Sequence, residues 1–151
     1  MGDGSSIKEV VIATRSSNVT LANDGTVNDD NELLIAIKAS EIIIITAELH
    51  WTAAAAAGGF RAGLNGPAIG AGTLTWRNYV FNNAATTLDA GLFSAYGGSS
   101  GIQDDSGVSR IEGVLYNGAT AGNIIIAWSQ HTSNANNTTL RKGSWLQVKR
   151  I

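Results

Sequence analysis

Apolar residues in this chain fall in short runs, many of them at alternate positions, separated by clusters of Gly, Asn, Asp and Ser. An alternating run puts every second side chain on one face of an extended strand. Many such runs punctuated by turn residues predict an all-β sandwich or barrel. "IKEVVIA" is a first strand, and "NDDNELLIAIKA" is a second with Leu33, Ile35 and Ile37 on one face. "SEIIIITAELHWTA" is the strongest: Ile43, Ile45, Ala47, Leu49 and Trp51 share one face, and Ile42, Ile44, Thr46, Glu48 and His50 the other. "GGFRAGLNGP" follows, then "GTLTWRNYVFNN" with Leu74, Trp76 and Val80, "VSRIEGVLYNG", "GNIIIAWSQHTS" and the final "GSWLQVKRI".

No segment reads as a stable helix. Ala53 to Ala57 have high helix propensity, but they follow a strand without an N-cap and run into Gly58 and Gly59, so they read as a strand end and a loop. "GLFSAYGGSSGIQDDSG" reads as a long flexible connection. The last residues carry Trp145, Leu146, Val148 and Ile151. A terminus is usually loose unless a sheet holds it, so this one is expected to be a strand, with Leu146 and Val148 in the core. Residues 1–6 are expected to be a flexible arm, and residues 7–151 a single domain.

Two strands are apolar on both faces. Ile42 and Ile44 back onto Ile43 and Ile45, and Ile124 and Ile126 back onto Ile125 and Ala127. In a two-layer sandwich the second face meets water and should be polar. An apolar second face needs a cover, and with no helix to supply one, another copy of the same sheet is the simplest. Ile42, Ile44, Ile124 and Ile126 are therefore the expected subunit interface of a homo-oligomer.

Composition agrees. Only 15% of residues are charged, against about 25% in ordinary domains, so much of the surface is suited to meeting protein. The formal net charge is −2 and the chain has no basic stripe, which argues against nucleic acid as a partner. There is no cysteine, hence neither a disulfide framework nor a Cys-ligated zinc. No run approaches the ~18 apolar residues of a membrane helix, and no membrane partner is expected. The start "MGDGSSIKEV" has no basic region followed by an apolar run and is not read as a secretory signal. Its loose Gly2-to-Ser6 match to a myristoylation pattern is given no role.

Candidate chemistry is sparse. His50 and His131 each sit at a strand end without a carboxylate at ligand spacing, so they read as surface or structural residues. No G-x-S-x-G elbow occurs to suggest a serine nucleophile. Asp24, Asp29, Asp30 and Glu32 lack calcium-loop spacing and read as a solvated turn, as do Asp104 and Asp105. The sequons at Asn18, Asn136 and Asn137 read as polar turns, and "GLNGPAIGAG" does not open a helix, so it is no phosphate cradle. Trp51 and Trp128 lie among apolar neighbours and are expected in the core or an interface; Trp76 lies in line with Leu74 and Val80, while Trp145 shares its face with Gln147 and Lys149. No catalytic, metal or cofactor site is expected, and the protein is not read as an enzyme.

Two long stretches carry a family resemblance. In "NDDNELLIAIKASEIIIITAELHWTAAAAAGGFRAGLNGP", Asp29, Asp30, Glu32 and Leu33, then Ala39 and Ser40, then Gly66 and Pro67 resemble a recurring module of tailed-bacteriophage structural proteins. The ending "RIEGVLYNGATAGNIIIAWSQHTSNANNTTLRKGSWLQVKRI" is similar to the same module through Gly113, Gly118, Gly122, Trp128, Gln130, Ser133, Gly143 and Ser144. The resemblance spans most of residues 19–151. It implies an antiparallel β-sandwich of jelly-roll type, trimeric like the complement and tumour-necrosis-factor modules, with its C-terminal strand central in the sheet. It also implies a non-enzymatic virion component assembled in the host cytoplasm. That component would be a capsid decoration or cement protein whose partners are itself and the phage major capsid protein or other virion proteins. The alternative is a receptor- or carbohydrate-binding module of a head or tail fibre, with a host surface glycan as partner. Phage fibres of this resemblance carry a shaft or an anchoring domain; with residues 1–6 ahead of the first strand, a stand-alone module is expected here.

Overall fold

The computed structural model describes residues 8–84 and 87–151, without the side chains of 87 and 88. The expected arm, residues 1–6, lies outside the described residues. Twelve strands run along the chain: β1 (Glu9–Thr14), β2 (Val19–Leu21), β3 (Asn28–Ile37), β4 (Ile42–Ala53), β5 (Phe60–Asn65), β6 (Thr73–Asn82), β7 (Thr87–Phe93), β8 (Ser99–Ile102), β9 (Ser106–Tyr116), β10 (Gly122–Ser129), β11 (Thr138–Leu140) and β12 (Trp145–Arg150). They form two antiparallel sheets. The larger is ordered β1-β12-β4-β9-β6-β7, with β11 also on β4 and β2 on β11; the smaller is ordered β3-β10-β5-β8.

Six of the pairings are nested in sequence: besides β2 with β11 and β6 with β7, four of them alternate between the sheets. β1 pairs β12, β3 pairs β10, β4 pairs β9 and β5 pairs β8, and successive pairs alternate between the two sheets. A single long antiparallel ribbon folded over itself gives this pattern, which is the jelly roll. The hairpin β6–β7 widens the larger sheet beyond β9.

Alternation along the strands fills the space between the sheets. Leu33, Ile35 and Ile37 of β3 and Ile43, Ile45, Leu49 and Trp51 of β4 are buried, as are Leu146 and Val148 of β12. The last strand is thus central, paired to β1 on one side and to β4 on the other. Phe60 lies between two indoles, stacked on Trp51 at 5.3 Å and on Trp128 at 5.7 Å between centroids. Polar side chains also enter the interior. Asn78 follows Leu74 and Trp76 on the inner face of β6, and its amide crosses the sandwich to the carbonyls of Ala62 and Ser100, each 3.2 Å away. The hydroxyl of Ser109 donates to its Oδ1 at 2.6 Å. A buried amide satisfied in this way fixes how one sheet sits on the other.

Two expectations change here. The stretch 91–107 is not an unstructured connection: it completes β7, forms β8 and begins β9. β8 reads "SSGI", whose small side chains give no periodic apolar signal, yet its backbone pairs with β5. Ala53 does end β4, and residues 54–59 form turns.

Candidate functional site

The outer face of the larger sheet carries most of the unusual surface. Strand register sets its rows. Val10, Lys149, Ile44, Val114 and Thr75 lie side by side, and next to them run Ile12, Gln147, Thr46, Glu112, Arg77 and Leu92. At the end beyond the first row, Ile42 lies beside Tyr116. Seven large hydrophobic residues are exposed among the described residues, and six of them, all but Leu34, are on this one face. Val114 is 53% exposed, Tyr116 49% and Ile42 40%. A concentration of this kind marks a surface that meets another molecule.

The interface expectation divides accordingly. Ile42 and Ile44 lie on this face, Ile42 exposed and Ile44 half-buried. Ile124 and Ile126 do not: both are fully buried between the sheets, and Ile125 is the residue of β10 that points outward. Because that run is apolar at consecutive positions, its periodicity has no phase, and the inward face is set by packing.

Further along the same face the chemistry changes from apolar to polar. The row after Thr46 is Trp145, Glu48, Arg110 and Tyr79, and the row after that is His50, Val108 and Phe81. Arg110 donates through Nε to Glu48 at 2.9 Å, and His50 Nε2 stands 3.1 Å from the other oxygen of Glu48. The Arg110 guanidinium also sits 5.9 Å from the ring centroid of Phe81, within cation–π range. Of these residues His50, Val108, Phe81 and Arg110 line a concavity of about 810 Å³, and Arg141, Lys142 and Gly143 of the β11–β12 turn line it too. Gly143 has φ of +88°, a conformation open to glycine and costly for a residue with a Cβ. Ser144 holds the turn against β4: the backbone N–H of His50 donates to its hydroxyl at 3.0 Å.

His131 lies apart from this site, following β10 of the smaller sheet beside Thr132. Among the described residues, no group of three or more His, Asp or Glu side chains is placed to hold a metal ion.

The acidic cluster is not the solvated turn the spacing suggested. Asp24 and Asp29 are surface residues, bonded to Thr26 and Asn28 and to Asn65 respectively. Asp30, by contrast, is buried. Leu34 pairs with Ile125 and Asp29 with Ala127, so residues 30–33 of β3 stand opposite the single Ile126. The resulting bulge turns Asp30 inward. Its Oδ1 accepts the backbone N–H groups of Glu32 and Leu33, each at 2.9 Å. Its Oδ2 accepts from the Arg15 guanidinium and, at 3.2 Å, from the Trp128 indole. Arg15 is buried too, and it also reaches Glu32 at 2.9 Å. Glu32 titrates below the usual 4.5, chiefly because the Ser16 backbone N–H donates to it, with help from the Ser16 side chain and Arg15. The network joins the β1–β2 connection to the smaller sheet. Its role is structural: four donors converge on one buried carboxylate.

Other positions of the resembled module have similar explanations. Gln130 is buried and ties the β2–β3 connection, through Asp24, to the β10–β11 connection, through Asn134 and Asn136. Gly122 packs where a Cβ would stand 2.8 Å from that of Pro67.

No family model and no curated protein sequence matches the chain. Solved structures do match at low identity. An Eiger TNF from S. frugiperda shares 9% identity at a TM-score of 0.44, over 94% of this chain and 91% of that one. The Yersinia pseudotuberculosis-derived mitogen shares 13% at 0.33, over 72% of this chain and 88% of its own. The VP2 subviral particle of infectious bursal disease virus shares 12% at 0.27; the match covers 94% of this chain but only 40% of VP2. These likenesses are loose, and the jelly-roll assignment stands on the nested strand pairing.

Proposed function

We propose that the protein is a non-enzymatic virion component. It forms a homotrimer through the outer face of its larger sheet and binds the outside of a bacteriophage capsid as a decoration or cement protein. The observation that supports this reading is the concentration of six exposed large hydrophobic residues on one face of a complete, well-buried sandwich. The protein's own core needs none of them. A further copy supplies the cover most economically, because a closed ring of identical subunits repeats one interface around its axis. The action is geometric: a symmetric trimer bridges neighbouring shell subunits, and several modest contacts held on one body reinforce one another. Stable interfaces bury roughly 1,200–2,000 Å² in total, an area that sheet-sized faces can provide. The polar concavity on the same face favours a second reading, a receptor- or glycan-binding fibre module.

Copy number separates the two. Quantitative mass spectrometry of purified particles of the phage encoding this chain should find it in a fixed, high ratio to the major capsid protein. A few copies per particle would favour the fibre reading, and absence from the particle would overturn both.

A further inference from the structure

The concavity beside Phe81 has the opposite charge to the molecule that carries it. Arg110, Arg141 and Lys142 line it and no carboxylate does, although the chain as a whole has a formal net charge of −2. Arg110 is balanced by Glu48. The side chains of Arg141 and Lys142 are exposed and have no carboxylate partner among the described residues. The other lining groups include His50, the rings of Phe81 and Trp51, Val108, and neutral hydrogen-bonding side chains such as Thr52, Asn83 and Ser106. The site is separate from the apolar patch. His50 lies four residues along β4 from Thr46, whose row carries the nearer patch residues Ile12 and Leu92, which is about 13 Å at the usual rise of ~3.3 Å per residue.

We infer that this concavity binds an acidic saccharide, a pyranose chain that bears carboxylate groups. Its volume lies within the usual range for small-ligand sites. The lining supplies what such a ligand requires: cations for the carboxylate, amides and hydroxyls for its ring oxygens, and the Phe81 ring for its apolar face. An acidic peptide fits less well. Peptide capture by strand addition needs an open sheet edge, and here β4 and β9 are paired on both sides where they floor the site, which leaves an acidic peptide only the Arg–Lys cluster to hold it. The floor therefore has no open backbone to offer, and recognition falls to side chains. The proposal holds whether or not the protein belongs to a virion.

The test is an NMR titration of the full-length chain with oligogalacturonate, alongside maltotetraose, inorganic sulfate and an oligoglutamate peptide. Oligogalacturonate should shift the amides of Phe81, Arg110, Arg141 and Lys142. The double variant Arg141→Ala/Lys142→Ala should weaken binding by about tenfold or more, since two charge-assisted contacts are removed. It should melt with the parent, because the backbone N–H bonds of both residues, to His50 and Asn18, remain. Arg77→Ala, at an exposed cation outside the concavity, should bind as the parent does. The proposal fails if oligogalacturonate leaves these amides unmoved or if the double variant binds unchanged. It also fails if maltotetraose, sulfate or oligoglutamate binds as tightly.

Discussion

Replacing Asp30 with Ala should be among the most damaging single changes in the molecule. The carboxylate is buried and receives four donors: the Arg15 guanidinium, the Trp128 indole and the backbone N–H groups of Glu32 and Leu33. Removing one partner of a buried ion pair costs about 3–5 kcal/mol, because the other charge is left uncompensated. Arg15 retains a second contact to Glu32, which places the ionic part near the lower end. The two backbone donors of the bulge have no alternative acceptor in place, and each adds about 1–3 kcal/mol if it stays dry. A loss of about 4 kcal/mol or more is therefore expected, from a total that for most domains is 5–15 kcal/mol. At ~2–4 °C per kcal/mol for a chain of this size, the melting temperature should fall by roughly 8–16 °C. The joint replacement Arg15→Met/Asp30→Leu removes the charge problem but not the orphaned bulge, so it should recover only part of the loss. Urea denaturation at one fixed protomer concentration measures all of these, since assembly makes stability concentration-dependent. If Asp30→Ala unfolds within about 0.5 kcal/mol of the parent, as a surface substitution would, the buried network does not hold the sandwich together.

The C-terminal strand gives a second prediction: deleting residues 146–151 should prevent folding, because burying Leu146 and Val148 contributes roughly 3–6 kcal/mol and β1 and β4 both lose a partner. A truncation that melts like the parent would sink it, whereas deleting residues 1–6 should change the melt little. For assembly, sedimentation equilibrium should give about three times the 15.7 kDa chain mass. Val114→Asp should yield folded monomer, since Val114 is 53% exposed in the single chain, while Ile44→Asp should impair assembly more than Asp29→Ala does; a monomeric parent or a trimeric Val114→Asp would refute the interface. Tyr96 supplies a pH prediction. Burial raises its hydroxyl to about 12, and that hydroxyl is buried without a hydrogen-bond partner. The folded state thus holds this proton more tightly than the unfolded chain, whose tyrosine titrates near 10, so the stabilisation is complete below about pH 10 and is lost as pH rises towards 12. Tyr96→Phe should match the parent at neutral pH and flatten that alkaline limb; parallel alkaline limbs in the two proteins would show that the ring is not buried as described.

The positions of β1, β3, β4, β5, β6, β9, β10 and β12 and the inward faces of β3, β4 and β12 can be read from the residues, because period two is a local property; β2, β7, β8 and β11 cannot. Ile43, Ile45 and Leu49 must share a face once the segment is extended. The same rule explains where the sequence is silent. In Ile124–Ala127 every position is apolar, so either face satisfies the pattern, and pairing with β3 and β5 turned Ile124 and Ile126 inward. In "SSGI" only Ile102 is large, so no period shows, and the strand forms by pairing with β5. Asp30 lies in a run of polar residues that looks solvated, and one bulge carries it inward to meet Arg15, 15 residues away in sequence, and Trp128, 98 residues away. The basic concavity depends in the same way on distant segments: Phe81, Arg110 and Arg141 are adjacent only because β6 and β9 pair and the β11–β12 turn folds over β4. Local periodicity determines which residues can face inward together. Which surfaces meet, and where charge collects, depends on long-range pairing, since a sheet's neighbours are chosen by closure of the whole ribbon rather than by any segment within it.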